Sequence, residues 1–411
     1  MIDTARLTVT LDEPVAASRR FRTDFAHDAY DHIPGTVLRG ALAAVWIRER
    51  GAPTDDSREF LDVFEGDGSF GPLHPAAGVP VPVSVQRHKY QHDPDKCRRL
   101  WWDRALDEGA EVCDQCDQQL EPSKGEAMRS ASCTTRTRVA LDERGVAKEG
   151  QLFRQNSLAA RTVLTGWVHG PAVRALHLDG QLIDVLQLGG RRSVQGGATL
   201  HADFDAEPEP VEQRENRDGT ADIILRLLAP GVFVDELGVP YHEPCLDEIS
   251  DVLEVDVTKV VGSWIRWIEV GGWHAASGLP KPTERAVQAG STYRIRCETP
   301  ASEENRRKLM ARGVGLRRRE GFGALYTPQP PLPKHAWKGL VAPMRGDDRH
   351  AADLDLLRAR EDGVRQGAPD DTPFQHRLAA GDDYAQRLRK LLSITDPDLY
   401  SSLVDYLEET K

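Results

Sequence analysis

Four cysteines carry the spacing that speaks most directly of chemistry. Cys113 and Cys116 form a C-x2-C pair, with Cys97 sixteen residues before it and Cys133 seventeen after it. Four thiolates around one tight pair suit tetrahedral zinc, so the expectation is a structural zinc on Cys97, Cys113, Cys116 and Cys133. His88 and His92 stand nearby as substitutes if one cysteine is not a ligand. Other uses fit less well. Disulfides belong to secreted chains, and Met1 to Leu7 lacks the basic and apolar regions of a signal peptide. A redox C-x-x-C is expected beside a βαβ pattern, not inside a stretch as polar as 88–136. That stretch cannot build much core alone, so a metal would supply its folding energy. Cys245 and Cys297 are isolated and read as core residues.

The second signal is a repeated loop. Gly189-Gly190-Arg191-Arg192-Ser193-Val194-Gln195-Gly196-Gly197 is echoed by Gly313-Val314-Gly315-Leu316-Arg317-Arg318-Arg319-Glu320-Gly321-Phe322-Gly323. Glycines let backbone N–H groups approach an anion, and arginines offer paired donors to phosphate. One such loop is as readily a turn with solvated charges. Two suggest a duplicated unit that grips a polyanion, with RNA the first candidate. The loop Asp24 to His32 is dense in titratable groups, among them Asp24, His27, Asp28, Asp31 and His32. Metal-free RNA cleavage needs a base and an acid, and histidine serves as either. The plain alternative is a solvated loop. Trp273, among glycines in Gly271-Gly272-Trp273-His274, is placed for stacking on a base.

The elements that must position these residues follow from periodicity. Arg6 to Leu11 alternates as a half-buried strand, and Val37, Leu38, Ala41, Leu42, Val45 and Trp46 fall at helical spacing, with Thr36 as N-cap. Strand, loop and helix open a ferredoxin-like or RRM-like unit. Residues 222–228 read as a second opening strand, 257–268 as a helix, 291–297 as a strand, and 384–392 and 399–407 as helices. The fold class is therefore α+β: a first domain over 1–206 carrying the Cys-rich insertion 88–136, a linker 207–219, a second domain over 220–330, and a proline-rich linker and helical tail over 331–411. Net charge is −12, which argues against a nucleic-acid partner, but 15 acids against 10 Lys/Arg lie in 344–411 while the arginines cluster in loops. No apolar run reaches the roughly 20 residues a membrane span needs, and the expected compartment is the cytoplasm.

These motifs together resemble the RAMP superfamily of CRISPR-associated proteins. Ile33-Pro34-Gly35-Thr36-Val37-Leu38-Arg39-Gly40-Ala41 is similar to its IPG segment, and the arginine loops resemble the glycine-rich loops that close RAMP domains. Gly278-Leu279-Pro280-Lys281-Pro282 and Ala289-Gly290-Ser291 resemble segments of the tandem-RAMP subunit of type III-D effector complexes. The resemblance implies two RRM-like domains that bind guide RNA (crRNA) at its repeat-derived 5′ handle, and through it target RNA. It implies partners too: the large polymerase-like subunit and the backbone RAMP subunits. RNA contacts are expected at Arg39, at Gly189, Gly190, Arg191, Arg192, Ser193, Gly196 and Gly197, at Arg317, Arg318, Arg319, Gly321 and Gly323, and at Trp273. The main reading is a binding subunit without turnover. The alternative is an endoribonuclease using the Asp24–His32 loop.

Overall fold

Thr4–Leu11 forms β1, and its alternation buries Ala5, Leu7, Val9 and Leu11. A two-residue period makes one face apolar, and that face shares a core with Leu38, Ala41 and Leu42 of α1 (Gly35–Arg50). The helix starts two residues earlier than expected. Pro34, with its fixed φ of −60°, holds the N-cap position, and its carbonyl accepts from Val37 N and Leu38 N, so Thr36 lies inside the first turn. The structure is a computed structural model and describes residues 4–17, 26–27, 29–54, 56–75, 78–90, 97, 101–107, 109–127, 132–190, 195–274, 279–328, 334–365, 369–394 and 397–408.

The chain continues through α2 (Arg58–Glu65), β2 (Ser69–Phe70), a long hairpin of β3 (Cys133–Leu141) and β4 (Ala147–Leu158), then β5 (Val163–His169), β6 (Val185–Gln187) and β7 (Gly197–Asp203). The first sheet runs β6-β7-β1-β5-β2, antiparallel throughout. Without the edge strand β6, the order by chain position is fourth, first, third, second. The crossover α1 joins the first two strands.

A second sheet repeats part of this plan. It uses β8 (Glu212–Glu215), β9 (Ala221–Arg226), α3 (Leu246–Leu253), β10 (Val257–Trp264), a hairpin of β11 (Trp267–His274) and β12 (Leu279–Val287), then β13 (Thr292–Cys297) and α4 (Glu303–Arg312). Its order is β8-β9-β13-β10, so that β1-β5-β2 recurs as β9-β13-β10, while β8, which precedes β9 in the chain, flanks it. Every residue of the inner strand β9 is buried. Two expectations are corrected. β8 lies within 207–219, where a linker was expected. Residues 257–264 and 267–268 are strand, because Val257, Thr258, Val260 and Val261 are β-branched and the segment pairs with β13 through Val257, Lys259, Val260 and Gly262 to Trp264. Their apolar spacing fits either element, and pairing decides it.

Beyond residue 333, α5 (Lys334–Val341), α6 (His350–Arg365), α7 (Gln375–Leu378), α8 (Asp383–Leu392) and α9 (Pro397–Glu408) enclose their own core around Leu357, Phe374, Leu388, Tyr400 and Leu403. The chain forms two compact units: 1–86 with 103–108 and 122–328, and 87–102 with 109–121 and 329–411. No helix among the described residues is long and apolar enough to cross a membrane.

Candidate functional site

The cysteine signal becomes a cluster built on one tight turn. Cys113 N donates to the Gln118 carbonyl, Asp117 N donates to the Cys113 carbonyl, and Asp117 takes a positive φ of 54°. The turn aims both side chains of the C-x2-C pair inward, and Gln115 N donates to Cys113 Sγ at 3.3 Å. Cys97 joins them, and the fourth member is His88: one ligand atom from each of His88, Cys97, Cys113 and Cys116 lies within 4.8 Å of the rest. Trp102 and Leu120 pack against the buried Cys97 and Cys113, and the Trp102 ring meets His88 edge-on at 5.1 Å.

Three edges of this cluster lie close to those of a metal tetrahedron. Cys97 Sγ lies 3.5 Å from Cys113 Sγ and 3.5 Å from His88 Nε2, and Cys116 Sγ lies 3.3 Å from His88 Nε2. Zinc bonds of about 2.3 Å to sulfur and about 2.0 Å to nitrogen give tetrahedral edges of about 3.8 and 3.5 Å. At 3.5 Å the Cys97 and Cys113 sulfurs are too far apart for a disulfide at about 2.05 Å, and Cys116 is also a free cysteine.

Cys133, expected as the fourth ligand, stands elsewhere. It opens β3 opposite Leu158 and is exposed as a residue, while partial burial and then the Asp31 carboxylate push its thiol up, away from the thiolate a metal needs. A strand start ties down its backbone, whereas His88 ends the short strand Val85–His88 next to the cluster. Cys297 is buried in the second core as expected, but Cys245 is exposed at the N-cap of α3.

The second arginine loop is engaged from within its own compact unit. Arg317 pairs with Glu320 at 2.8 Å and Glu284 at 2.7 Å, and covers the Phe322 ring at 4.4 Å. Arg318 pairs with Asp67 at 2.9 Å. Arg319 donates to the Glu65 carbonyl at 2.9 Å and pairs with its carboxylate at 3.2 Å. Arg39 binds that same Glu65 carboxylate and donates to the Phe64 carbonyl at 2.9 Å. Arg39 and Arg319, expected on RNA, therefore meet on one acid of the first domain. Gly35 and Gly321 close the joint. A Cβ on Gly35 would lie 2.0 Å from the Phe70 carbonyl oxygen and 2.8 Å from Gly321 Cα, so only glycine fits. Gly323 N donates to the Pro230 carbonyl within the second domain.

Lys281 of the Gly-Leu-Pro-Lys-Pro segment also serves this joint, 2.6 Å from Glu320. The Ala-Gly-Ser segment serves another: a Cβ on Gly290, whose φ is +86°, would lie 2.9 Å from Gly125 Cα. Burial alone would raise the Glu320 carboxyl, but Arg317 and Lys281 outweigh it and hold the group at about 2. A depressed carboxyl contributes stability above its unfolded value, near 4.5, and loses it as pH falls toward 2. The Glu320→Gln chain should therefore show a flatter loss of melting temperature between pH 4.5 and 2 than the parent, and parallel curves would discount this network.

The first loop is framed by hydrogen bonds at its described ends. Leu188 N donates to the Gly196 carbonyl at 2.8 Å, Gly190 N to Ala16 at 3.2 Å, and Gly197 N to the Glu13 carboxylate at 3.0 Å. Arg191, Arg192 and Ser193 fall outside the described residues, as do Asp24, Asp28 and His92. His27 sits in a two-residue strand parallel to Arg154–Gln155 of β4, and Trp273 stands opposite Pro280 in the β11–β12 hairpin. Sequence reasoning missed His74. It stacks on His32 at 4.3 Å, and His32 Nδ1 lies 2.9 Å from Asp31, whose carboxyl that bond holds below its usual range. Burial pushes His74 down to about 3, so it is neutral, donating from Nδ1 to the Gly78 carbonyl.

The family described as CRISPR-associated protein (Cas_Cmr3) matches residues 117–329, more than half of the chain. The chain is similar to one in the cryo-EM structure of the Type III-B Cmr-beta bound to cognate target RNA and AMPPnP, at 16% identity over 70% of this chain and 86% of that one, with a TM-score of 0.40. It is similar to one in the Csm3–Csm4 subcomplex of the type III-A CRISPR-Cas interference complex, at 11% identity over 79% and 100%, TM-score 0.32. The product of a Cas6-related gene from Pyrococcus furiosus is similar at 11% identity over 80% and 100%, TM-score 0.30. No curated protein matches.

Proposed function

Because the chain belongs to the Cas_Cmr3 family of CRISPR-associated proteins, RAMP-superfamily members of type III complexes, we propose that it is a guide-RNA-binding structural subunit of such a complex, without turnover of its own. In this reading the two sheets are tandem ferredoxin-like domains, and the subunit works among the other effector subunits with crRNA and, through it, target RNA. Family membership carries the reading. The strand order that the two sheets share, β1-β5-β2 in the first and β9-β13-β10 in the second, supports its tandem form.

We assign the RNA contact to the first loop. Its described ends are closed by backbone hydrogen bonds, and in the sequence Arg191, Arg192 and Ser193 lie between glycines, a composition that suits phosphate without base selection. Arg317, Arg318 and Arg319 each have an acidic partner, so binding RNA there would cost an ion pair. The assigned ligand is the repeat-derived 5′ handle.

The test is the salt dependence of binding to a crRNA with that handle. Arg191→Ala with Arg192→Ala should lower the slope by about 0.7 log unit per lost phosphate contact. Arg318→Ala with Arg319→Ala should leave the slope unchanged and lower the melting temperature. The opposite pattern would move the RNA to the second loop, and no change from either pair would remove both loops from the RNA surface.

We also assign a structural zinc to His88, Cys97, Cys113 and Cys116. Support comes from the convergence of one ligand atom from each of four residues within 4.8 Å and from three edge lengths near those of a zinc tetrahedron.

A further inference from the structure

The connection from β9 to α3 carries apolar side chains outward. Val234, Leu237, Val239 and Tyr241 are 37%, 87%, 53% and 39% exposed. One exposed apolar residue is ordinary, but four within eight positions make a patch. The backbone beneath them is well fastened. Asp235 N donates to the Val239 carbonyl at 2.9 Å and Gly238 N to the Asp235 carbonyl at 3.0 Å. The Asp235 carboxylate accepts from Leu237 N and Val239 N, each at 2.9 Å, and Tyr241 N donates to the carbonyl of the buried Phe233. A turn held this way loses little conformational freedom on binding.

Charge indicates what it meets. From Val234 to Glu243 there are three acids, Asp235, Glu236 and Glu243, and no lysine or arginine. That field repels a phosphate backbone and attracts a basic rim. We propose that this turn is a preformed plug, with Leu237 at its tip, that enters an apolar pocket rimmed by Lys or Arg on another protein subunit of the complex. The proposal rests on the reading of the chain as a subunit of a type III assembly.

The experiment co-expresses the full chain with the remaining protein subunits of its complex and measures assembly by titration and size-exclusion chromatography. Leu237→Asp should weaken assembly about 10- to 100-fold. Its melting temperature and crRNA salt slope should match the parent, since Leu237 supports no core. Parent-like assembly of Leu237→Asp overturns the plug. So does a photo-reactive residue at position 237 that cross-links to RNA, or light scattering showing a parent dimer that Leu237→Asp dissolves. A parent chain that joins no assembly overturns the subunit reading and the plug together. It differs from failure of the plug alone, in which the parent assembles and the variant does so equally well.

Discussion

Cys113→Ser should strip the chain of its zinc, whereas Cys133→Ser should leave it fully loaded. Purified without chelator, the parent is expected to hold one equivalent of zinc by elemental analysis. The variants at Cys97, Cys113 or Cys116 should hold almost none, and His88→Ala should bind weakly. Structural zinc in small modules contributes apparent free energies of about 10–16 kcal/mol, so the loss should dominate the stability of 87–121. Among the described residues there, the apolar cluster centres on Trp102 and Leu120, with the ligands themselves and Ala110. Hydrogen exchange should accelerate at the amides of Cys113, Gln115 and Asp117, which donate within the turn. Cobalt substitution provides the independent check, because charge-transfer absorption reports thiolate number and should indicate three sulfurs. Zinc loss from Cys133→Ser would restore the four-cysteine site. A parent without zinc would leave four buried or half-buried side chains held by packing alone.

The second large effect is expected at Arg226. Its guanidinium is 2% exposed and bridges Asp103 at 2.7 Å and Glu212 at 2.6 Å, with Asp103 itself 6% exposed. Arg226→Met keeps the volume and strands two carboxylates, one of them fully buried. Breaking such a pair from one side costs about 3–5 kcal/mol, mostly as the penalty of an unpaired buried charge. Arg226→Met with Asp103→Leu should recover much of that loss, since replacing both partners removes the penalty as well as the attraction. Chemical denaturation measures both. If Arg226→Met unfolds within 1 kcal/mol of the parent, solvent reaches Asp103 and the bridge is ornamental.

Much of the fold could be read from local pattern. β1, β9, β13, α8 and α9 were expected within two residues or so of where they lie, because one face or the whole element is apolar at its own period. The failures share a cause. β10 and β11 have apolar residues at spacings that fit a helix, and only cross-strand pairing to β13 and β12 separates the readings. The site was legible in residue type and less so in partnership. Three of four metal-cluster residues follow from spacing, but the fourth depends on which strand ends beside the turn, and that is tertiary information. His74 had no motif to mark it, since its role arises from stacking on a histidine 42 positions earlier.

The two arginine loops read alike, yet one is bound to Glu65, Asp67, Glu284 and Glu320. A duplicated segment need not keep a duplicated job. Glu65 stands between Arg39 and Arg319, and a descendant that lost this single acid would leave both guanidiniums without that shared carboxylate and open to another anion. In this fold a hinge pin and a phosphate cradle are one substitution apart, so related chains can trade interdomain rigidity for nucleic-acid affinity without rebuilding the backbone.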